Sequence, residues 1–429
     1  MVAMNDVRYV PHLLPNRRIS CRCLVALALI FALALVAPGQ ASAGPAAAGA
    51  GKAAQSSQVS LLTDPAFRAT ADRGLAALYN MDFATADREF AAIAKVYPEH
   101  PVGPFLGALT TWWRIQRDPQ DTSHDGRFFA AMEETLERSE RRLKRDRGDL
   151  DGKFFAGGAL AFRGRLRSMR GSWLPAATDC KRALKLVREV VERDPDNADL
   201  YFGIGLYEYF GDVLPERHAI LRPVGVFLPE AQRQRGLEHL ERVVRDGRFV
   251  RVEAAWFLLQ IHFHFERDPA ESLRWAEWLR QRYPGNSLFH EVRGRVLLMA
   301  GKRGAAREEF RAILARYEAG DPAYTPAQAE RAHYGLGLTH LHAGEYRTAL
   351  SHFQRLDRIA AQRQGEEVPL RTLGLLRQGM VLDAMGARAH AISKYRQVLA
   401  EKDTSRAHER ARDHLKEPWR PAGEEDDEG

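Results

Sequence analysis

The 429-residue chain has only three cysteines, and two of them, Cys21 and Cys23, fall within its first 43 residues. Cys180 then stands alone, so no internal disulfide can brace the rest of the chain, and burial must hold it together. Its setting, ATDCKRALKLVREVV, is helical in period, which makes Cys180 a small buried hydrophobe rather than a nucleophile. Lysine is scarce as well, 10 of the 63 basic residues. The densest basic stretch, Arg138 to Arg147, is interleaved with acids. Phosphate binding needs an uncompensated basic stripe, so nucleic acid is not an expected partner. No run of alternating β-branched residues appears, which leaves little room for a sheet. Also missing are G-x-S-x-G, H-E-x-x-H, a CxxC pair and a dinucleotide fingerprint. GAGK at Gly49 to Lys52 lacks the first glycine and the Ser/Thr of a phosphate loop. No catalytic residue, cofactor or metal site is therefore expected.

What the chain does have begins with a leader. Arg17, Arg18 and Arg22 precede the apolar run Leu24 to Ala37, and Ala41-Ser42-Ala43 comes after it. A charged stretch, a 14-residue apolar stretch and an A-x-A site predict a signal peptide over 1–43. The run is shorter than the roughly 20 residues that span a bilayer. Export to the periplasm or cell envelope is the expectation, with an uncleaved inner-membrane anchor as the alternative. Removing 1–43 takes away four arginines and Asp6, so the net charge falls from +7 to about +4 (7 − 4 + 1). Residues 44–60 are an Ala/Gly/Ser linker, and 418–429 end in the acidic tail GEEDDEG.

Between them, residues 61–417 carry apolar-periodic segments broken by YPEHP, RDPDN, YPGN and GDP. One spacing recurs: a glycine, an alanine twelve residues on, an aromatic four after that. It occurs at Gly74/Ala86/Phe90, Gly294/Ala306/Phe310, Gly337/Ala349/Phe353 and Gly379/Ala391/Tyr395. Trp256, Leu259, Phe263, Ser272 and Pro284 supply a fifth frame. Small residues at two facing positions let paired helices approach, and the aromatics fill the gaps that remain.

This frame resembles the tetratricopeptide repeat, with its Leu-Gly, Ala, Phe and Pro positions. The resemblance is clearest over 66–98 and 251–403 and degenerate over 101–250. It implies an all-α, right-handed superhelix (an α-solenoid) of about eight hairpins plus a terminal capping helix near Ser405 to Lys416. The mature chain is also similar to exported bacterial proteins of this repeat class, through GLAALYNMDFATADREF, WWRI, RDPDNADLYFGIGLYEYF and RGLEHLERVV. In the family, certain positions of each first helix face a concave groove. Carried over, they are Arg331, Tyr334, Leu338, Leu341 and His342, with Glu291, Arg295, Leu298, Arg377, Met380 and Asp383 from neighbouring repeats. Such a groove suits an extended or helical peptide of a protein partner.

Two clusters compete for attention. Between His333 and Leu356 lie four histidines, His333, His340, His342 and His352. The first two fall at bulky core positions of the repeat, about 10.5 Å apart along one helix, too far to share a zinc. His352, on the second helix, is expected to approach only one of them. Further upstream, residues 211–232 interrupt the fourth hairpin, and Tyr207, Glu208, Tyr209 and Asp212 beside them form a ligand-like cluster. The reading is a non-catalytic protein-interaction scaffold. Its rival is a secreted α/α-toroid enzyme acting on polysaccharide, recognisable by two buried carboxylates facing each other in one pocket.

Overall fold

The structure, a computed structural model, describes residues 60–217, 232–363 and 368–421. The expected signal peptide, the linker up to residue 59, residues 218–231 of the insertion and residues 422–429 of the tail lie outside them. Among the described residues there are 17 helices and no strand. They run α1 (Pro65–Tyr79), α2 (Phe83–Val96), α3 (Val102–Arg117), α4 (Asp125–Arg145), α5 (Leu150–Met169) and α6 (Trp173–Val191). Next come α7 (Tyr201–Arg217), α8 (Arg233–Asp246), α9 (Arg251–Ile261), α10 (Pro269–Arg282), α11 (Ser287–Met299) and α12 (Arg303–Glu318). The last are α13 (Pro326–Leu341), α14 (Tyr346–Ala361), α15 (Pro369–Ala384), α16 (Arg388–Ala400) and α17 (Ala407–Lys416). Paired in order, they make eight hairpins with α17 as a cap, an α-solenoid.

Local chemistry sets the boundaries. Asp64, Asp268 and Asn286 accept hydrogen bonds from the first-turn N–H groups of α1, α10 and α11, and proline opens α1, α10, α13 and α15. Short turns inside several hairpins use one left-handed residue; Gly344 supplies it between α13 and α14, and Met81 stands at that place in the first hairpin.

The repeated glycines mark points where two helices nearly touch. A Cβ on Gly337 would sit 2.5 Å from the Phe353 ring, and one on Gly74, Gly294 or Gly379 would collide in the same way with Phe90, Phe310 or Tyr395. Ala86, Ala306, Ala349 and Ala391 are fully buried beside these contacts. The degenerate region keeps more of the frame than its sequence suggests. In the third hairpin Gly164 packs on Cys180 Sγ, where the other repeats have an aromatic, and Ala176 stands between them at the usual spacing. In the fourth, Gly205 and Gly236 bring two backbones together, with 19 extra residues between the helices displacing the second glycine from its expected place at 217 (236 − 217). Only the second hairpin departs: the space beside Gly107 is open, and Gly103 packs on Ala94 of the preceding helix instead.

The solenoid closes on itself. After five hairpins the chain returns to its start: Phe67 of α1 lies 6.0 Å from Phe249, and Tyr79 lies 5.5 Å from Tyr283. Asn286 caps α11 with its carbonyl and donates its amide to the Tyr79 carbonyl at 2.8 Å, while Gly285 N–H donates to the Asn80 side chain at 3.1 Å. Hairpins six to eight then begin a second turn stacked on the first. Trp113 meets Phe289 edge-on, Gln328 donates to the Arg117 carbonyl, and Arg363 pairs with Asp118 at 2.6 Å. At the far end Ala407 and Ala411 of α17 are buried, and Trp419 N–H donates to Asp383.

Gly337→Ala is expected to destabilise the protein by about 1–2 kcal/mol, because overpacking outweighs the gain in helix propensity. In a Phe353→Leu background, where the ring edge is gone, the same alanine is expected to be neutral or stabilising. Urea unfolding of the four chains checks this, and an unchanged midpoint for Gly337→Ala alone would refute it.

Candidate functional site

The residues expected to line a peptide groove sit on α11, α13 and α15, and most are withdrawn from solvent. Glu291, Leu298, Tyr334, Leu338, Leu341, Arg377 and Met380 are buried. Successive first helices pack on each other along this face, so its apolar side chains are core. Tyr334 stacks edge-on against Phe353 at 5.8 Å, and Arg377 donates to the Met380 sulfur. The Asp383 carboxylate has no exposed surface; it holds Arg388, the Tyr395 hydroxyl and Trp419 N–H. Only Arg295, Arg331 and His342 reach the surface, the arginines half-buried and His342 exposed. Glu291 pairs with Arg295 at 3.2 Å and with Arg331 at 3.8 Å, and Arg295 lies over the Phe263 ring. The expected mixture of Leu, Met and Tyr with Arg is thus a charged ledge rather than an apolar groove.

The insertion-adjacent cluster is likewise committed to packing. Its first part is not a loop, because α7 continues to Arg217. Tyr207, Glu208 and Tyr209 are buried. Arg188 lies over the Tyr207 ring, Glu208 takes Arg235 and His239, and the Tyr209 hydroxyl donates to Glu266. Asp212 accepts the first N–H of α8 from Arg233 at 2.9 Å. Glu208 and Asp212 lock the fourth hairpin together, while Tyr207 and Tyr209 tie it to the hairpins on either side.

The histidines hold one surprise. His352 meets both of its neighbours: its Nδ1 lies 3.0 Å from His333 Nδ1, and its ring stacks on His340 at 5.3 Å. The expectation that it could approach only one fails because its ring is wedged between the two helical turns. Among the described residues, no group of three or more His, Cys, Asp or Glu side chains could hold a metal ion. Burial first, then neighbouring positive charge, lowers His333 to about 3 and His352 to about 4. Glu330, buried where the second turn meets Asp118 and Arg363, moves the other way; burial pushes it up to about 7 against the pull of the arginine.

A feature that the sequence did not announce lies inside the first turn. An apolar cavity of ≈ 130 Å³ is walled by α1, α3, α5, α6, α7 and α9, with Phe105, Phe154, Phe155, Phe162, Phe202 and Phe249 around it. Two buried carboxylates line it. Asp199 accepts the backbone N–H groups of Arg248, Phe249 and Val250; Glu253 accepts Trp113 Nε1–H at 3.1 Å and faces Arg165 at 3.5 Å. Burial raises both above the usual carboxylate range. The cavity adjoins a wider opening of ≈ 440 Å³, where Ser60 Oγ and Leu61 N–H donate to Asp151. Phenylalanine spacing at 105, 154, 155, 162 and 202 was the one signal in the sequence, but it carries no repeat frame.

Two pH dependences result. The two histidines bind protons less tightly folded than unfolded, so their contribution is full above pH 6.5 and is lost as pH falls toward about 4. His352→Phe is expected to flatten the fall in melting temperature between pH 7 and 4.5. Glu330 has the opposite sign: its contribution is full below 4.5 and lost as pH rises through about 7. Glu330→Gln is expected to raise the melting temperature at pH 8 relative to wild type and much less at pH 5. Parallel curves for variant and wild type would remove either assignment.

Residues 291–363 match the tetratricopeptide repeat family model. No curated protein matches the chain. Among solved structures, a tetratricopeptide repeat protein from Parabacteroides merdae is 14% identical, over 72% of this chain and 98% of that one, with a TM-score of 0.31. The human IFIT1 dimer with m7Gppp-AAAA is 16% identical, over 81% and 84%, with a TM-score of 0.39. Likenesses this loose carry no argument about binding. The matched segment spans α11 to α14, whose glycine–aromatic contacts recur in the first and last hairpins. Residues 291–363 are thus a tetratricopeptide-repeat segment within the α-solenoid.

Proposed function

We propose that this protein is a non-catalytic interaction scaffold, exported to the periplasm or cell envelope, that binds a protein or peptide partner. The observation that carries the reading is the repeat itself: eight hairpins build an extended surface of the kind that repeat arrays use to bind partners. The Arg295–Glu291–Arg331 ledge with His342 beside it is the part of the expected binding face that solvent reaches. The leader, with its arginines, apolar run and Ala41-Ser42-Ala43, supports export. Among the described residues no helix is long and apolar enough to cross a membrane.

One observation favours the rival, a polysaccharide-acting enzyme. The first turn closes into a ring, and Asp199 and Glu253 line one cavity within it. Against it, the Asp199 carboxylate caps the backbone N–H groups of Arg248, Phe249 and Val250, and Glu253 is held by Trp113 and Arg165. A cavity of ≈ 130 Å³ also has no room for a sugar chain.

Affinity capture of the full chain from envelope extracts is expected to return a defined protein partner. Changing Arg331→Gln and His342→Ala together is expected to weaken that capture about tenfold, with the circular dichroism spectrum unchanged. Fractionation should place a form beginning at Gly44 outside the cytoplasm. Undiminished capture would overturn the ledge assignment, and a cytoplasmic full-length chain would overturn export.

A further inference from the structure

One guanidinium in the last hairpin has no counter-ion among the described residues. Arg377 of α15 is 5% exposed, and its hydrogen bond is made to the Met380 sulfur, through Nη1 at 3.5 Å. A thioether is a weak acceptor, so it does little to offset the cost of taking a charge out of water. The other donors of the fork, Nε and Nη2, make no hydrogen bond among the described residues and are not sealed from solvent. Arg410 of α17 donates to the same sulfur at 3.6 Å, which sets two cations side by side. His414, tilted against the Tyr395 ring, lies in their field. Burial first, then Arg410 and more weakly Arg377, lower it to about 4 against the pull of Asp383 and Asp413, so it is neutral at pH 7. Asp383 gives Arg377 no relief, because Arg388, the Tyr395 hydroxyl and Trp419 N–H already hold it.

The described chain ends beside this pair. Trp419 N–H is fastened to Asp383 at 2.9 Å, and Asp383 stands about 9 Å along α15 from Arg377. The sequence that follows Arg420, PAGEEDDEG, has five carboxylates, Glu424 to Glu428, and no basic residue. Glu424 comes five residues after Trp419, a reach of up to about 17 Å in extended chain. The first of these carboxylates can therefore meet Arg377 with the solenoid as it stands. A carboxylate accepts two parallel N–H groups from a guanidinium, and that bond is among the strongest a side chain makes.

We propose that Arg377 and Arg410 form a carboxylate-binding site, and that the chain's own acidic segment, Glu424 to Glu428, docks there. Bound in this way, the segment covers the end of the concave face, and an acidic stretch of any other polypeptide has to displace it. The site is built from α15 and α17 and the probes are the chain's own tail and a synthetic peptide. Arg331, His342 and partner capture play no part in it, so this assignment and the scaffold reading can fail separately.

The test compares the full chain with a full-length variant whose tail is neutralised by Glu424→Gln, Glu425→Gln, Asp426→Asn, Asp427→Asn and Glu428→Gln. Each is titrated calorimetrically with the capped pentapeptide Glu-Glu-Asp-Asp-Glu. The peptide is expected to bind the neutralised chain, and to bind the wild type about tenfold more weakly, because a short tether gives the tail an effective concentration in the millimolar range. Adding Arg377→Met to the neutralised chain is expected to abolish peptide binding. Melting temperatures of wild type, each single change and the combination complete a double-mutant cycle. Arg377→Met is expected to lower the melting temperature more with the acidic tail than with the neutral one, a coupling that a packing role for Arg377 does not produce. Arg410→Gln is carried through the same cycle, so the result stands even where Arg377→Met fails to fold. Sedimentation separates docking within one chain from docking on a second copy. The proposal is overturned if the peptide binds both tails equally, if it binds neither at millimolar concentration, if neither arginine couples to the tail, or if the wild type is a dimer that the neutral tail dissociates.

Discussion

The architecture rests on one steric condition: two antiparallel helices must come close enough that the missing side chain of a glycine is replaced by a group from its partner. In four hairpins the group is an aromatic ring, in one a cysteine sulfur, and in another the facing backbone itself. That contact sets the separation of the pair in six of the eight hairpins. Each pair in turn presents one apolar face to the next, and the accumulated rotation brings the fifth hairpin back against the first. The ring closure, the chamber within it and the stacking of the second turn all derive from a distance of a few ångströms repeated along the chain.

Where the repeat frame was intact, the sequence was legible, because glycine, alanine and phenylalanine at fixed spacing have one steric meaning. The first hairpin and the last three emerge with those residues in contact. Hairpins three and four escaped the frame for definable reasons. Cys180 replaces an aromatic, and 19 residues separate Gly236 from the place that spacing assigns it. The groove positions were harder. Whether Leu338 or Met380 faces water depends on how the next first helix packs, and a solenoid this tightly wound leaves both buried. The chamber was beyond reach, since its walls come from five hairpins and no local pattern brings Phe105 to Phe202 and Phe249.

Burial also reorganised the chemistry that looked functional. Glu208, Tyr209 and Asp212 are ligand-like by type, yet each finds its partner within the fourth hairpin or the adjacent α9–α10 corner. His333 and His352 supply bulk to a hairpin and remain neutral because burial makes their charge expensive. Glu253 draws its partners from further along the chain: Trp113 of the second hairpin donates to one oxygen and Arg165 of the third faces the other.

The seam between turns has a consequence for how the chain is made. A linear repeat array can fold from any point and propagate, because each unit touches only its neighbours. Here Asn286 must find Tyr79 across 207 residues, and Gly285 must find Asn80 across 205. The loop entropy of that search rises only logarithmically with length, but it is lost before the seam repays it. During synthesis the first hairpins therefore wait with Trp113 and Tyr79 uncovered until α11 has emerged, and these aromatic surfaces are the region most in need of protection before the ring can shut.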